Sequence, residues 1–240
     1  MLVEIIASSP DDCIAIEAAG AHRVELCSAL VLGGLTPSIG TIAECKKRCG
    51  LPIMAMIRPR AAGMCYSESE IASMERDIDA ALDAGADGVV FGVLREDGTL
   101  DAARMSLLAR RAEGAQVVCH RAFDVTPNAF EALETLIDMG FTRVLSSGQA
   151  ASAPLGLPLL GRLLEAARGR IEILPGAGID ASNAAEFRHF GQIHLAAFGL
   201  TQDPSGAGNP SVQFSGSVPP PEGSYDSVDT DAVRAVVTAV

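Results

Sequence analysis

The sequence repeats one pattern of polar and apolar positions: an amphipathic stretch of helical length, a glycine, and then an apolar run of strand length. "ALDAGADGVVFG" and "LIDMGFTRVLS" are two examples. A glycine at the junction fits the end of a helix, where the chain often takes a left-handed conformation that glycine adopts without steric cost. The pattern occurs seven times, with its glycines at Gly20, Gly50, Gly85, Gly114, Gly140, Gly169 and Gly191.

These repeats predict a chain of alternating strands and helices. Together with the opening run "LVEII", the seven junctions give eight strands. The runs are apolar throughout rather than alternating, which is typical of parallel strands buried on both faces. We therefore expect an α/β fold, a closed (β/α)8 TIM barrel that forms a single domain over residues 1–240.

The main alternative is an open, doubly wound parallel sheet. That fold usually carries a glycine-rich turn after its first strand. Here the turn reads "ASSPDD", which has the composition of a helix N-terminus: a serine cap, Pro10 in the first turn, and Asp11 and Asp12 favoured by the helix dipole. This turn favours the barrel.

The last unit departs from the repeat. A stretch rich in glycine, proline and serine follows the eighth strand and predicts an irregular loop over residues 201–226, ahead of a C-terminal helix over residues 228–240. A mobile surface loop and a lid or oligomer arm over the barrel mouth are both compatible with this composition.

Charge and cysteine usage narrow the choice of partners. The net charge is −12 at pH 7 and the chain has no run of lysine or arginine, which argues against binding to nucleic acid or anionic lipid. The first residues lack a basic region, and no apolar stretch reaches the ~18 residues of a membrane span. The six cysteines are scattered, as in a reducing compartment. We expect a cytoplasmic protein with a small ligand.

Polar residues collect where the predicted strands end, which is where TIM barrels build their sites. Strand two offers Glu25, strand three offers Arg58 in "MIRPR", and strand five ends in His120. Each could be a core residue satisfied by an ion pair or a hydrogen bond. A carboxylate, a guanidinium and an imidazole at one end of a barrel also suit proton transfer beside an anionic or carbonyl group. We expect these three side chains inside the barrel.

Two loops and a helix-capping position add further candidates. The segments "SSGQ" (146–149) and "PGAG" (175–178) could present backbone N–H groups to an anion. Asp124 precedes a helix, so it either orients His120 or Arg58 or caps the turn that follows. The predicted catalytic residues are His120, Glu25 and Asp124, and the predicted ligand-binding residues are Arg58, Arg60, Ser147, Gln149, Gly176, Gly178 and His194.

Two groups of cysteines have a chemical alternative to simple packing. Cys45 and Cys49 share one face of a predicted helix and could share a soft metal ion. Cys27 ends the second strand beside Glu25, where its thiol would reach the pocket.

Six segments in order resemble the CutC family, whose members are often called copper homeostasis proteins. They are "GAHRVELCSALVLGGLTPS", "MIRPR", "ADGVVFGVLREDGTLD", "HRAFD", "ALETLIDMGFTRVLSSGQ" and "LPGAGI", and the resemblance spans about residues 2–200. It implies a TIM barrel, a cytoplasmic location, a homo-oligomer such as a dimer or tetramer, and Cu(I) binding at cysteines of the first two strands.

Carried onto this chain, the resemblance assigns the copper-binding thiol of the second strand to Cys27. Ile6 stands where the family has the cysteine of the first strand, so the second soft ligand would come from Cys65, His120 or a neighbouring subunit. The segment after "RPR" and the residues after the histidine of strand eight also depart from the family pattern.

Three hypotheses follow. In the first, the protein is a CutC-like copper homeostasis protein that binds Cu(I) through Cys27. In the second, it is an enzyme that performs acid–base chemistry on a small anionic or sugar-like metabolite. In the third, it is a non-catalytic scaffold.

Overall fold

The computed structural model describes residues 1–209, 211–214 and 220–240, and its centre is a barrel of eight parallel strands. Each strand pairs with the next along the chain, β1 also pairs with β8, and a single parallel bridge between Gly176 and His194 joins β7 to β8. The predicted TIM barrel is confirmed. Its strands are β1 (Leu2–Ala7), β2 (Arg23–Leu26), β3 (Ile53–Met56), β4 (Gly88–Phe91), β5 (Gln116–Cys119), β6 (Arg143–Ser146), β7 (Glu172–Pro175) and β8 (Gln192–Leu195).

Helices alternate with the strands and surround them. A 3-10 helix at Ala184–Phe190 takes the place of an α-helix after β7. Within the described part of the chain, no helix combines the length and the apolar character needed to cross a membrane. The α-helices are α1 (Pro10–Ala18), α2 (Ile39–Arg48), α3 (Glu68–Asp83), α4 (Ala102–Arg111), α5 (Ala129–Asp138), α6 (Ala153–Ala167) and α7 (Thr230–Ala239).

The ends of the helices follow the local sequence. Helix α1 begins as predicted, with the Ser9 side chain accepting a hydrogen bond from the backbone N–H of Asp12 at 3.1 Å. Six of the seven junction glycines have a positive φ, and Gly50 is the exception. Its N–H donates to the Glu17 carboxylate at 3.1 Å, and a Cβ at this position would lie 2.9 Å from the same oxygen. Gly50 is therefore explained by a close approach and not by a left-handed turn.

Alternation along the strands divides the core into two parts. Residues that face outward pack under the helices in one large apolar cluster that includes Val3, Ile5 and Val24. The inward positions of neighbouring strands form a second, smaller cluster near the middle of the barrel. Ile6 and Leu30 pack against this inner cluster, whose members are Cys27, Met54, Met56, Val90 and Val118.

Below the inner cluster, the N-terminal end of the barrel is closed by polar side chains that begin five strands. Gln192 accepts from Arg23 at 2.9 Å and donates to Glu172 at 3.1 Å. Arg143 donates to Glu172 at 2.6 Å and to Gln116 at 3.0 Å. Arg23 also forms a buried ion pair with Glu4 of β1. Because each buried charge has a partner of opposite sign, this layer fills the barrel without leaving a charge uncompensated.

The C-terminal segment is more regular than its composition indicates. Strands β9 (Phe198–Gln202) and β10 (Ser224–Val228) form an antiparallel hairpin, and Asp12 of α1 accepts a hydrogen bond from the Val228 N–H at 2.9 Å. The prediction of an irregular loop over 201–226 is wrong at both ends, which belong to β9 and β10. The sequence did not indicate these strands, because a half-exposed two-stranded ribbon needs no apolar run. Residues 210 and 215–219 of that loop lie outside the described residues, and the predicted C-terminal helix is α7.

We expect Arg23→Met to lower the free energy of unfolding by about 3–5 kcal/mol, because it leaves the buried Glu4 carboxylate without its cation. Urea denaturation measures the effect. Arg234→Met is the matched control, since Arg234 pairs with Asp231 on the surface and its loss should change stability by less than about 0.5 kcal/mol. Equal effects of the two substitutions would contradict the structural role of the Glu4–Arg23 pair.

Candidate functional site

A line of charged side chains runs through the barrel from Arg23 to Glu25. Arg23 pairs with Glu4, whose other carboxylate oxygen lies 2.7 Å from Nδ1 of His194. Nε2 of the same imidazole lies 3.8 Å from the Glu25 carboxylate. All four side chains are buried. The predicted placement of Glu25 inside the barrel is seen, and its neighbours are His194 and Glu4.

Burial and charge separate the proton affinities of the two carboxylates. Burial alone would raise the pKa of Glu4, but the hydrogen bond from His194 and the charge of Arg23 lower it to about 2. Burial raises the pKa of Glu25 to about 7, against the opposing charge of His194. Burial would lower the pKa of His194, yet the two carboxylates raise it. Glu25 therefore titrates near neutral pH beside His194, while Glu4 stays ionised.

The same three residues have the donor atoms of a metal site. One ligand atom from each of Glu4, Glu25 and His194 lies within 4.8 Å of the others. Carboxylates and imidazole suit Zn²⁺ or Mn²⁺ rather than Cu(I), which selects soft sulfur ligands. The guanidinium of Arg23 already neutralises Glu4, so an added cation would compete with it.

Cys27 lies inside the barrel in a setting rich in sulfur. It is 2% exposed and belongs to the inner cluster with Met54 and Met56. The chain passes close by at Gly34, where a Cβ would lie 3.2 Å from the Cys27 sulfur and 3.9 Å from the Met56 methyl group. Burial, and then the charge of Glu25, raise the pKa of the Cys27 thiol, so it is protonated at neutral pH.

Met54 and Met56 were not predicted from the sequence as candidate ligands. Their signal is the alternation in "IMAM", which places Met54 and Met56 on one face of β3. Ile6, which occupies the place of the family's other cysteine, packs against the same cluster. Cys65 is exposed in the loop after β3. Cys45 and Cys49 are buried against Cys13 between α1 and α2, where the Cys49 sulfur lies 3.5 Å from the Cys13 carbonyl oxygen.

The two predicted anion-binding arginines hold loops together. Arg58 donates from Nη1 to the carbonyls of Leu32 and Gly34 and from Nη2 to that of Ala62, each at 2.9 Å. Arg60 pairs with Glu70 at 2.5 Å and donates to loop carbonyls. Arg60 therefore has few donors left for a ligand, whereas Arg58 keeps a free Nε–H.

His120 lies apart from the predicted acid–base partners. Its Nδ1 accepts a hydrogen bond from the backbone N–H of Ala122 at 3.2 Å, and its Nε2 has no partner among the described residues. Burial lowers the pKa of His120 to about 4, so the imidazole is neutral at physiological pH. Among the described residues, His120 forms no hydrogen bond with Glu25 or Asp124.

Asp124 acts as a cap for the loop after β6. Its carboxylate accepts hydrogen bonds from the Ser146 hydroxyl at 2.6 Å, the Ser147 N–H at 3.0 Å and the Gln149 N–H at 3.2 Å, and it pairs with Arg121. The expected anion-binding amides of residues 146–149 are thus occupied by a carboxylate of the chain itself. Among the described residues, the Asp124 carboxylate forms hydrogen bonds neither with His120 or Arg58 nor with the turn that follows it, and it caps the loop after β6 instead.

The remaining predicted positions serve close packing. A Cβ at Gly176 would lie 2.6 Å from a methyl group of Leu145 and 3.1 Å from Cδ2 of His194. At Gly178, with φ of +70°, it would lie 2.9 Å from the Ser152 side chain. Gly176 thereby leaves room for the imidazole that joins Glu4 to Glu25.

Comparison with known proteins relates this barrel to one family. The sequence profile described as the CutC family matches residues 1–198. A family protein CutC from Treponema denticola is 46% identical over 99% of this chain and 98% of its own length, and one from Mesorhizobium japonicum is 44% identical over 99% and 93%.

Solved structures agree with this relation. A crystal structure of CutC from Streptococcus agalactiae, named as a candidate copper homeostasis protein, has a TM-score of 0.77 at 33% identity and covers 81% of this chain and 98% of that one. An aldolase with a TM-score of 0.61 at 13% identity shares the fold alone, covering 81% of this chain and 89% of that one. The chain belongs to the CutC family.

Proposed function

We propose that this protein serves copper homeostasis by binding Cu(I) at the inner cluster of the barrel, through the Cys27 sulfur and the thioethers of Met54 and Met56. The observation that carries the proposal is the presence of one thiol and two thioethers in a single buried cluster. Cu(I) selects soft thiolate and thioether ligands. The name of the Streptococcus agalactiae structure, which refers to copper homeostasis, is in agreement.

The donor set also fits the electrostatics of the interior. Binding of Cu(I) would displace the thiol proton of Cys27, and the resulting pair of Cu(I) and thiolate has no net charge. A neutral pair avoids the cost of burying an isolated ion in the apolar surroundings of Val90 and Val118. The methionines supply the soft ligands that Ile6 does not. The cytoplasmic location and the homo-oligomeric state stay predictions.

We expect Cys27→Ser and Met56→Leu each to weaken Cu(I) binding at least about tenfold, since loss of even an outer-shell partner commonly costs 10–100-fold in metal affinity. Anaerobic competition with a Cu(I) chelator under reducing conditions measures the affinity. Cys65→Ser is the matched control and should bind as the wild type does, because Cys65 lies exposed outside the cluster. Tight binding that is indifferent to Cys27 would refute the assignment.

A second candidate function is acid–base catalysis on a small carbonyl compound. It rests on the arrangement in which the Arg23–Glu4 pair holds His194 and His194 meets Glu25. In such a reaction the Glu25 carboxylate takes a proton from the carbon next to the carbonyl, the electron pair of the broken C–H bond forms a C=C bond, and the π pair of the carbonyl moves to its oxygen to give the enolate. The charge of His194 lowers the pKa of Glu25 and so favours the ionised, proton-accepting form.

Deuterium exchange tests this candidate without knowledge of the natural substrate. In D2O, the wild type should exchange the methyl protons of pyruvate faster than buffer does, as followed by proton NMR. Glu25→Gln should abolish the acceleration, and Cys65→Ser should retain it. An exchange rate equal to that of buffer for the wild type would count against the catalytic candidate.

The raised pKa of Glu25 also predicts a pH-dependent stability. Because the folded protein holds the Glu25 proton up to about pH 7 and the unfolded chain releases it near the ordinary glutamate pKa of 4.5, the stability from this group is fully present below pH 4.5 and is lost as pH rises through 7. Glu25→Gln should remove a fall of roughly 3 kcal/mol between these pH values. Urea denaturation across pH measures it, with the exposed Glu186→Gln as control. Parallel profiles of wild type and Glu25→Gln would contradict the shift.

A further inference from the structure

Four buried side-chain atoms of the described residues have no hydrogen-bond partner: Nε of Arg58, Oη of Tyr66, Nε2 of His120 and Nη1 of Arg143. Arg143 belongs to the polar layer at the N-terminal end of the barrel. The other three come from the opposite end, where β3 and β5 finish. Buried polar groups are nearly always hydrogen-bonded, so three unpaired ones at the end that carries the site in TIM barrels indicate a missing partner.

The strand register brings two of these groups to one row. Met56 pairs with Val90 and Phe91 pairs with Cys119, so the continuation of the ladder aligns Arg58, Gly92 and His120. Backbone hydrogen bonds from Ile57 to Val90 and from His120 to Phe91 extend the pairing to this level. Met56, Val90 and Val118 face the barrel interior, and side chains two residues apart on a strand lie on the same face. The side chains of Arg58 and His120 therefore point into the barrel.

Gly92 leaves the middle of this row without a side chain. A Cβ at Gly92 would lie 2.8 Å from Nδ1 of His120 and 2.7 Å from the Cβ of Ala122. The imidazole therefore leans over Gly92, in the space between β3 and β5. Tyr66 comes from the loop after β3, and its ring lies beneath the Arg60 guanidinium at 5.1 Å.

All three unpaired groups are hydrogen-bond donors. Because Nδ1 of His120 accepts from a backbone N–H, the proton of the neutral imidazole is on Nε2. Nε of Arg58 can only donate. Burial raises the pKa of Tyr66 against the opposing charge of Arg58, so its hydroxyl keeps its proton. The Tyr66 oxygen can also accept from the nearby Arg58 guanidinium, but the Tyr66 hydroxyl proton and the Nε2–H of His120 have no acceptor among the described residues.

Arg58 also lacks a counter-ion. It is 6% exposed, its other donors go to neutral carbonyls, and among the residues that the structure describes it has no ion pair. The buried arginines Arg23 and Arg143, by contrast, each pair with a glutamate. A buried cation without an anion is costly, so a negatively charged ligand would satisfy both the charge and the donors.

We propose that Arg58 Nε, Tyr66 Oη and His120 Nε2 bind the carboxylate of a small organic acid at the C-terminal end of the barrel. Neutral His120 and Tyr66 supply hydrogen bonds and Arg58 supplies the charge. Arg58 lies four residues beyond Met54, the β3 partner of Glu25, so this site is separate from the Glu25–His194 pair and rests on neither proposed function. Binding itself needs neither copper nor turnover.

Isothermal titration calorimetry with pyruvate, acetate and inorganic phosphate tests the proposal. Pyruvate and acetate should bind the wild type, and Tyr66→Phe and His120→Gln should each weaken binding about tenfold, as expected for one hydrogen bond to a charged group. Tyr225→Phe is the matched control, because Tyr225 is the other tyrosine of the chain and is 51% exposed. Tyr66→Phe removes only an unpaired hydroxyl, so it should fold normally.

The outcomes separate this site from the proposed functions. Carboxylate binding that survives Cys27→Ser, with or without deuterium exchange, supports the site. No carboxylate binding to the wild type, binding indifferent to Tyr66 and His120, or a preference for phosphate over both carboxylates would overturn it. A nitrogen-15 NMR spectrum of the imidazoles gives a direct readout, in which the Nε2 signal of His120 should shift on addition of pyruvate.

Discussion

The ion pair between Glu4 and Arg23 connects the polar layer that closes the N-terminal end of the barrel with the buried pair of His194 and Glu25. On one side, Arg23 donates to Gln192, and the hydrogen bonds continue through Glu172 to Arg143. This network links the first residues of β2, β6, β7 and β8 and closes the N-terminal end of the barrel. On the other side, the second oxygen of Glu4 holds His194 and so fixes the imidazole against Glu25. A change in the pair would therefore disturb both the closure of the barrel and the proton affinity of Glu25.

The repeat of helix, glycine and strand was enough to predict the barrel, because both features are local in the sequence. Buried parallel strands are apolar runs, and helices end at glycines. The interior position of Glu25 followed from strand alternation in the same way. Its partners did not, because Glu4 and His194 are 190 residues apart and meet only when β1 pairs with β8. The tail hairpin was missed for a related reason, since β9 and β10 are separated by the whole loop.

Candidate residues in loops were harder to predict than those in strands. A strand fixes the direction of a side chain by alternation, whereas a loop side chain turns toward whichever backbone groups need a partner. Asp124 is such a case, because the amides after β6 attract its carboxylate before any ligand can. In the same way, Arg58 donates from its two Nη atoms to carbonyls of the loops around Gly34 and Ala62. Its Nε–H has no partner among the described residues and is left for a ligand.

The proposed copper site and the proposed proton-transfer site meet at the end of β2, where Glu25 and Cys27, the residue that follows the strand, are separated by one residue and face the barrel interior. An ionised Glu25 disfavours the Cys27 thiolate, and a protonated Glu25 removes that repulsion. Binding of Cu(I) to Cys27 would release a proton inside a barrel in which the charge of Glu25 acts on the Cys27 thiol. The proposed Cu(I) site and Glu25 would thus be coupled through their charges: protonation of Glu25 removes its repulsion of the thiolate, whereas the lower pH that protonates Glu25 also supplies protons that compete with Cu(I) for the Cys27 sulfur.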